Sequence, residues 1–238
     1  MNQACDYLIS KNVKLIAANS TLSTIAAVQH TKNIAVCMMV APRPDLAGLT
    51  DAQGNYPKNL FGVFETLAYI DSSVALIKRF FPDAMTVGTI YNSSEPQSRD
   101  ALEELQKAAT AAGMKIIAMP VTNSSETQLV TQSLIAKKPD VFFALPDNVI
   151  FASFETVVKA CNEAQLPVFT SEAGLVGRGA IASYGADFYQ WGFQAGVEAA
   201  NYLKSNPATM LKPEIVKVRQ YVFNNKAAAR FNLVAPNG

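Results

Sequence analysis

Short apolar runs alternate with stretches of helical periodicity along almost the whole of this sequence. The runs are rich in Val, Ile and Phe, and they lie at 13–18, 34–40, 61–64, 86–91, 115–121, 141–145, 167–170 and 180–184. Strands that are apolar on both faces are typical of parallel sheets covered by helices on either side. Regular alternation of such strands with helices predicts right-handed βαβ units and therefore a doubly wound α/β fold.

Helices are predicted between these runs, and punctuating residues mark several of their ends. The predicted stretches are 3–11, 22–31, 69–81, 95–112, 125–137, 148–165 and 188–204. Pro96 follows Ser94 and Glu95 at one predicted helix start, where a first-turn proline is well tolerated. Gly113 stands just beyond the end of the same helix, in the place typical of a C-cap glycine.

The length of 238 residues favours two lobes, because a domain usually has about 100–150 residues. No Gly/Ser-rich linker separates them, so the chain is expected to pass between the lobes through short turns. Lobe one is predicted to comprise 1–65 with 170–215, and lobe two to comprise 66–169 with 216–238. The candidate crossings lie at 65–69, 170–175 and 214–218.

Composition argues against several classes of site. The formal net charge is +1, and basic residues cluster no further than pairs, so no nucleic-acid surface is indicated. Cys5, Cys37, Cys161 and His30 are too few and too far apart for a metal site or a disulfide framework. No phosphate-binding or dinucleotide-binding glycine motif begins a predicted helix. We therefore expect neither a metal nor a cofactor.

Polar residues follow several of the predicted strands, where ligands bind in doubly wound sheets. Hydroxyl, amide and carboxylate groups of this kind hydrogen-bond small polar ligands. Each of them also fits a helix cap, so the prediction of a ligand site depends on the whole set. The set is Asn19, Ser20 and Thr21, then Ser93, Ser94 and Glu95, then Asp147 and Asn148, then Ser171 and Glu172, and finally Asp187.

A series of motifs runs through most of the chain in a characteristic order. It includes VKLIAANST at 13–21, VGTIYNSSE at 87–95, PVTNSSE at 120–126 and VVKACNEA at 157–164. These segments resemble the family of ABC-transporter substrate-binding proteins that includes tryptophan and tyrosine receptors, with the type I periplasmic-binding fold. The resemblance implies two doubly wound lobes, joined by a hinge, that close over a small molecule.

The resemblance also implies a ligand and a partner. The ligand would be an amino acid or a similar compound, often an aromatic one, that is handed to an ABC permease in the membrane. By matching motif, Gln97 and Ser98 join the predicted binding residues. Ser20 and Thr21 would hold a carboxylate, and Asp147 or Asp187 would hold an amine.

The beginning of the chain departs from the family pattern. Relatives carry about 60–70 further residues, roughly two βα units, before the segment that matches 3–18. The first lobe is therefore expected to be incomplete. The family implies a periplasmic or other extracytoplasmic location, yet 1–6 has neither the basic nor the apolar region of a signal peptide.

Two alternatives to a binding protein remain at this point. One is an enzyme on a doubly wound fold, using Cys37 with His30, or an acid–base pair of Asp147 and Glu172. The other is a cytoplasmic ligand sensor with the same fold. We predict a binding protein rather than an enzyme, because the sequence contains no triad motif or nucleophile elbow.

Overall fold

The computed structural model describes residues 2–204 and 212–235 as helices, strands and short connections. In chain order the elements are α1 (Asn2–Ser10), β1 (Leu15–Asn19), α2 (Thr21–His30), β2 (Ala35–Pro42), β3 (Leu60–Glu65), α3 (Tyr69–Phe80), β4 (Thr86–Asn92), α4 (Pro96–Ala111), β5 (Lys115–Val121), α5 (Thr127–Ile135), β6 (Val141–Ala144), α6 (Asn148–Glu163), β7 (Val168–Thr170), α7 (Ala173–Val176), β8 (Ala182–Ala186), α8 (Phe188–Lys204), β9 (Pro213–Ile215), β10 (Arg219–Phe223) and α9 (Asn225–Ala229).

The chain divides into two compact units. Unit 1 comprises Met1–Thr66 and Phe188–Val218, and unit 2 comprises Leu67–Asp187 and Arg219–Gly238. Each unit contains a four-stranded parallel sheet, in the order β1-β2-β3-β9 in unit 1 and β5-β4-β6-β7 in unit 2. The predicted α/β fold with parallel sheets is therefore confirmed.

The division differs from the predicted lobes at residues 170–187, which the sequence assigned to lobe one. They lie in unit 2, because β7 pairs with β6 and β8 packs on α3. Thr66 and residues 216–218 were assigned to lobe two but lie in unit 1. Residues 205–211 and 236–238, assigned to lobes one and two, lie outside the described residues.

Helices α2 and α8 cover the sheet of unit 1 and contact its central strands. All six residues of β3 are buried, as expected for a central parallel strand. On α8, the Nε1 of Trp191 donates a hydrogen bond of 2.9 Å to the carbonyl oxygen of Val63, and Tyr202 stacks on Phe61 with ring centroids 5.1 Å apart. Trp191 is thus a core residue that fixes the position of α8 over β3.

The core of unit 2 is built around β6, whose four residues are completely buried. Phe142 and Phe143 point to opposite faces of the sheet, as neighbouring strand residues do, and belong to separate apolar clusters. Phe142 packs in the cluster that contains Phe154 of α6, and Phe143 packs in the one that contains Leu105 of α4. Burial of large side chains on both faces explains the uninterrupted apolar run in the sequence.

The run at 180–184 was expected to join a parallel sheet, but β8 instead pairs with β10 in a two-stranded antiparallel ribbon. The ribbon belongs to unit 2, and Asn224 beyond β10 caps α9 through its side chain. The part of the chain covered by 2–204 and 212–235 contains no helix long and apolar enough to cross a bilayer.

Gly185 in β8 lies against the end of β7 at a distance that only glycine permits. A Cβ atom at this position would lie 1.8 Å from the carbonyl oxygen of Ser171, which is main chain and cannot rotate away. We therefore expect Gly185→Ala to lower the free energy of unfolding by about 3 kcal/mol, measured by urea denaturation.

The matched control for that variant is Gly192→Ala. Gly192 lies inside α8, and a Cβ atom there would meet nothing within 4 Å. Because alanine restricts the unfolded chain more than glycine, Gly192→Ala should stabilise the protein by about 0.5–1 kcal/mol. Equal effects of the two variants would contradict the close contact between β7 and β8.

Candidate functional site

The carboxyl ends of the parallel strands in unit 2 carry a cluster of polar side chains that starts with Asp147. Asp147 is only 1% exposed. Its Oδ1 accepts hydrogen bonds from the backbone nitrogens of Val149 at 2.8 Å and Ile150 at 3.1 Å, and its Oδ2 accepts one from the backbone nitrogen of Asn92 at 2.6 Å. Asp147 therefore caps α6 and ties its start to the end of β4.

Asn92, the last residue of β4, organises the loop that follows. Its Oδ1 accepts hydrogen bonds from the backbone nitrogen of Ser94 at 3.0 Å and from the Ser94 hydroxyl at 2.7 Å. Its Nδ2 donates to Oε1 of Glu95 at 3.0 Å. Asn92 was not among the predicted binding residues, although its place at a strand end was a sufficient signal.

Glu95 joins the loop after β4 to the loop after β6. Its Oε2 accepts hydrogen bonds from Nε2 of Gln97 and, at 3.1 Å, from Nδ2 of Asn148. The carboxylate is half-buried, and Asn148 is exposed. Three amide donors, with Asn92 as the third, thus hold one carboxylate in a fixed orientation at the edge of the sheet.

Two serines near these loops are fully buried without satisfying their hydroxyl groups. The Oγ atoms of Ser98 in α4 and Ser171 after β7 have no hydrogen-bond partner among the described residues. Buried hydroxyls are normally hydrogen-bonded, so such groups call for an explanation such as a bound molecule. Ser93 is half-buried, and its backbone nitrogen donates to the carbonyl oxygen of Val121 at 3.2 Å.

Glu172 and Asp187 bring two further carboxylates to unit 2. Glu172 is 2% exposed, and its Oε1 accepts a hydrogen bond of 3.0 Å from the hydroxyl of Tyr69, a residue that the sequence reasoning did not select. Asp187 is half-buried at the end of β8, and its Oδ2 accepts a hydrogen bond of 2.6 Å from Nε2 of Gln220.

The predicted residues of unit 1 lie at the start of α2. Ser20 has φ 73° and ψ 167°, a conformation that residues other than glycine rarely adopt, and its side chain does not cap the helix. Asn19 and Ser20 are exposed and Thr21 is half-buried. The first amides of an α-helix have no partner within the helix, so this start can receive an anion.

The structure brings half of the ten predicted residues of unit 2 into one hydrogen-bonded network. Thr170 Oγ1 donates to the carbonyl oxygen of Ala144 at 3.0 Å and accepts from the backbone nitrogen of Glu172 at 3.1 Å, so the end of β7 adjoins that of β6. Ser94, Glu95 and Asp147 are joined through Asn92, and Glu95 also accepts from Gln97 and Asn148. Asn19, Ser20 and Thr21 belong to unit 1.

Cys37 and His30, which were considered as a nucleophile and a base, each contact a different group. Burial, followed by the charge of Glu198, raises the pKa of the Cys37 thiol to about 12, and its Sγ donates to the carbonyl oxygen of Ala195. His30 pairs through Nδ1 with Asp6 at 2.9 Å. Within the described ranges, no three His, Cys, Asp or Glu side chains are placed to hold a metal ion.

The chain is similar to substrate-binding proteins of known sequence. It is 34% identical to the tyrosine-binding protein of Clostridioides difficile over 196 residues, which are 82% of this chain and 56% of that protein. The match thus spans little more than half the length of that relative.

Solved structures resemble the chain over 99% of its length and 79% of theirs. A conserved domain protein from Vibrio cholerae is 30% identical with a TM-score of 0.87. An ABC domain in complex with L-Trp from Streptococcus pneumoniae is 24% identical with a TM-score of 0.86, and a ligand-free, open substrate-binding protein with adhesive properties from Clostridium difficile is 27% identical with a TM-score of 0.76.

The family model described as ABC transporter substrate binding protein matches residues 1–237. The resemblance inferred from the motifs is therefore confirmed, and the chain belongs to the family of ABC transporter substrate-binding proteins.

Proposed function

We propose that this protein is the solute receptor of an ABC importer and that its ligand is an amino acid with an aromatic side chain. The observation that carries the proposal is the family match over residues 1–237. The name of the tyrosine-binding relative supports the choice of ligand. Under this proposal the protein works outside the cytoplasm, delivers its ligand unchanged to a membrane permease and performs no chemistry on it.

The start of α2 is the proposed site for the ligand carboxylate. Helix N-termini attract anions, because their free amides and the helix dipole both favour negative charge. Ser20 holds the chain in a strained conformation at this point, and its own hydroxyl does not cap the helix. The amides of the first turn, with the hydroxyls of Ser20 and Thr21, can therefore serve a bound carboxylate.

Asp187 is the proposed partner of the ligand amine. Asp147 was the other candidate, but three backbone amides already occupy its two oxygens and it is almost completely buried. Asp187 is half-buried rather than buried, and it receives an amide hydrogen bond from Gln220 at Oδ2. Glu95, held by amide donors, is proposed to contribute polar contacts along with Ser93 and Asn148.

Exposed aromatic residues at the start of α8 support an aromatic ligand. Phe188 is 39% exposed and Tyr189 is 74% exposed, whereas Trp191 is buried in the core of unit 1. The Trp191 hydrogen bond to Val63 places this start near the carboxyl end of β3. Aromatic rings stack favourably in offset or edge-to-face arrangements, so these side chains suit an aromatic ring.

Thermal unfolding with added amino acids tests the ligand class. At 100 times its Kd, a ligand that binds only the folded state adds about 2.7 kcal/mol of stability. For a chain of this size, that stability should raise the unfolding midpoint by about 5–10 °C. We expect this rise with L-tyrosine, L-tryptophan or L-phenylalanine, and not with L-alanine or L-glutamate.

Two analogues of tyrosine provide the matched controls. Tyramine lacks the carboxylate, and 3-(4-hydroxyphenyl)propionate lacks the amine, while both keep the aromatic ring. Each should bind at least tenfold more weakly than L-tyrosine, since each leaves a charged group without its partner. Recovery of a chemically altered ligand after incubation would instead support an enzyme.

Substitution of Asp187 tests the assignment of the amine. Asp187→Asn should weaken the binding of the preferred amino acid about 10- to 100-fold, because a hydrogen bond to a charged group contributes about 1.5–3 kcal/mol. The same variant should bind the amine-free analogue as well as the parent does. Isothermal titration calorimetry measures both affinities.

Asp147→Asn and Asp83→Asn are the controls for Asp187. Asp147→Asn should lower the free energy of unfolding by about 1–2 kcal/mol through the weakened cap of α6, and should weaken ligand binding less than Asp187→Asn does. Asp83 is exposed, and its replacement should change neither quantity. If Asp187→Asn kept its affinity for the ligand and Asp147→Asn lost it, Asp147 would be the partner of the ligand amine instead.

A further inference from the structure

Gln220 on β10 contacts Asp187, the residue proposed to bind the ligand amine. Its Nε2 donates a hydrogen bond of 2.6 Å to Oδ2 of Asp187, and both residues are half-buried. Gln220 lies 33 positions further along the chain, and no strand-end pattern in the sequence selected it. Partial burial strengthens a hydrogen bond to a charged acceptor, because water competes less for the same atoms. The contact therefore restrains the orientation of the Asp187 carboxylate.

The antiparallel ribbon of β8 and β10 places Gln220 beside Asp187. Gln220 is paired with Gly185, two residues before Asp187, and this diagonal separation is one that a long side chain can span. The ribbon is itself held to α3, since the hydroxyl of Ser73 donates to the carbonyl oxygen of Tyr184 at 2.6 Å and accepts from its backbone nitrogen at 3.2 Å. Gln220 therefore reaches Asp187 from a backbone that is fixed within unit 2.

The donor of Gln220 is a neutral amide, which is important for a carboxylate that is proposed to bind a cation. An amide orients a carboxylate without cancelling its negative charge. Glu155 in the same unit shows the other arrangement, because Arg178 donates to its two oxygens at 2.7 and 2.8 Å. There the guanidinium group supplies a positive charge, so a second cation would gain little. Gln220 can thus hold Asp187 without neutralising it.

We propose that Gln220 is a positioning residue that makes the site selective for ligands with an amine. The inference rests on the proposed function, in which Asp187 binds the ligand ammonium group. Gln220 restrains the carboxylate in the orientation that receives this group, and its neutrality keeps the carboxylate attractive to a cation. An amino acid then binds in preference to the corresponding carboxylic acid without an amine. In Gln220→Lys, the side-chain ammonium group would occupy the carboxylate in place of the ligand amine and remove this preference.

Side-chain NMR tests the hydrogen bond in the protein without ligand. In the ¹⁵N-labelled protein, Asp187→Ala should shift the side-chain amide resonances of Gln220 and speed their exchange with water, because the acceptor at 2.6 Å is removed. The side-chain amide of Gln106, an exposed residue on α4, is the internal control and should be unaffected. Unchanged Gln220 resonances in Asp187→Ala would overturn the proposal.

Calorimetric titration of two variants tests the selectivity. Gln220→Met keeps the length of the side chain but removes the donor, and it should weaken the binding of L-tyrosine about 3- to 10-fold, the usual effect of one lost hydrogen bond. Gln220→Lys should weaken this binding about 10- to 100-fold, because the ammonium groups of the lysine and the ligand compete for one carboxylate. Neither variant should lower the affinity for 3-(4-hydroxyphenyl)propionate, which has no amine. Gln106→Lys is the control for the added charge and should bind both ligands as the parent does.

The ratio of the two affinities separates positioning from a general structural role. A loss of the same factor for both ligands in Gln220→Met and Gln220→Lys would mean damage to unit 2 and would contradict the proposal. The parent protein tests the proposed function first, since equal affinity for L-tyrosine and its amine-free analogue would remove the amine-binding role of Asp187 and the inference about Gln220 with it. If the parent discriminates between the two ligands and both variants discriminate equally well, the role of Asp187 stands and that of Gln220 does not.

Discussion

The polar edge of the sheet in unit 2 depends on one carboxylate and the three backbone amides bound to it. Asp147 accepts from two amides of α6 and from the amide of Asn92, so it fixes the helix start and the end of β4 at once. The side chain of Asn92 donates a hydrogen bond to Glu95. The carboxylate of Glu95 also accepts hydrogen bonds from Gln97 and Asn148. Because each of these carboxylate oxygens accepts from a donor in the fold, the loops are held in one defined arrangement.

Periodicity predicted the strands and helices whose cores are buried, because burial dictates the residue pattern. The β4, β5 and β6 runs and the helices around them were found close to their observed bounds. The ribbon of β8 and β10 was missed, since β10 is half-exposed on four of its five residues and its partner is distant in sequence. The three-residue strand β9 is too short to show a period.

For the candidate site, the positions of the strand ends predicted where polar side chains cluster. They did not predict which contacts each side chain makes. Asp147 and Glu95 have the same chemistry in the sequence, yet one is a buried cap and the other a half-buried acceptor of side-chain amides. The strained backbone of Ser20 leaves no sequence signal, because serine is common at helix starts whatever its φ. Tyr69 was passed over because its partner, Glu172, is brought to it only by the fold.

Helix α8 makes both apolar packing contacts and polar hydrogen bonds in unit 1. Phe188 and Tyr189 are exposed on its first turn, and the hydrogen bond from Trp191 to Val63 fixes that turn to β3. Further along, the side chain of Gln194 hydrogen-bonds the backbone of Ile215 and Lys217, in the segment that leads out of unit 1.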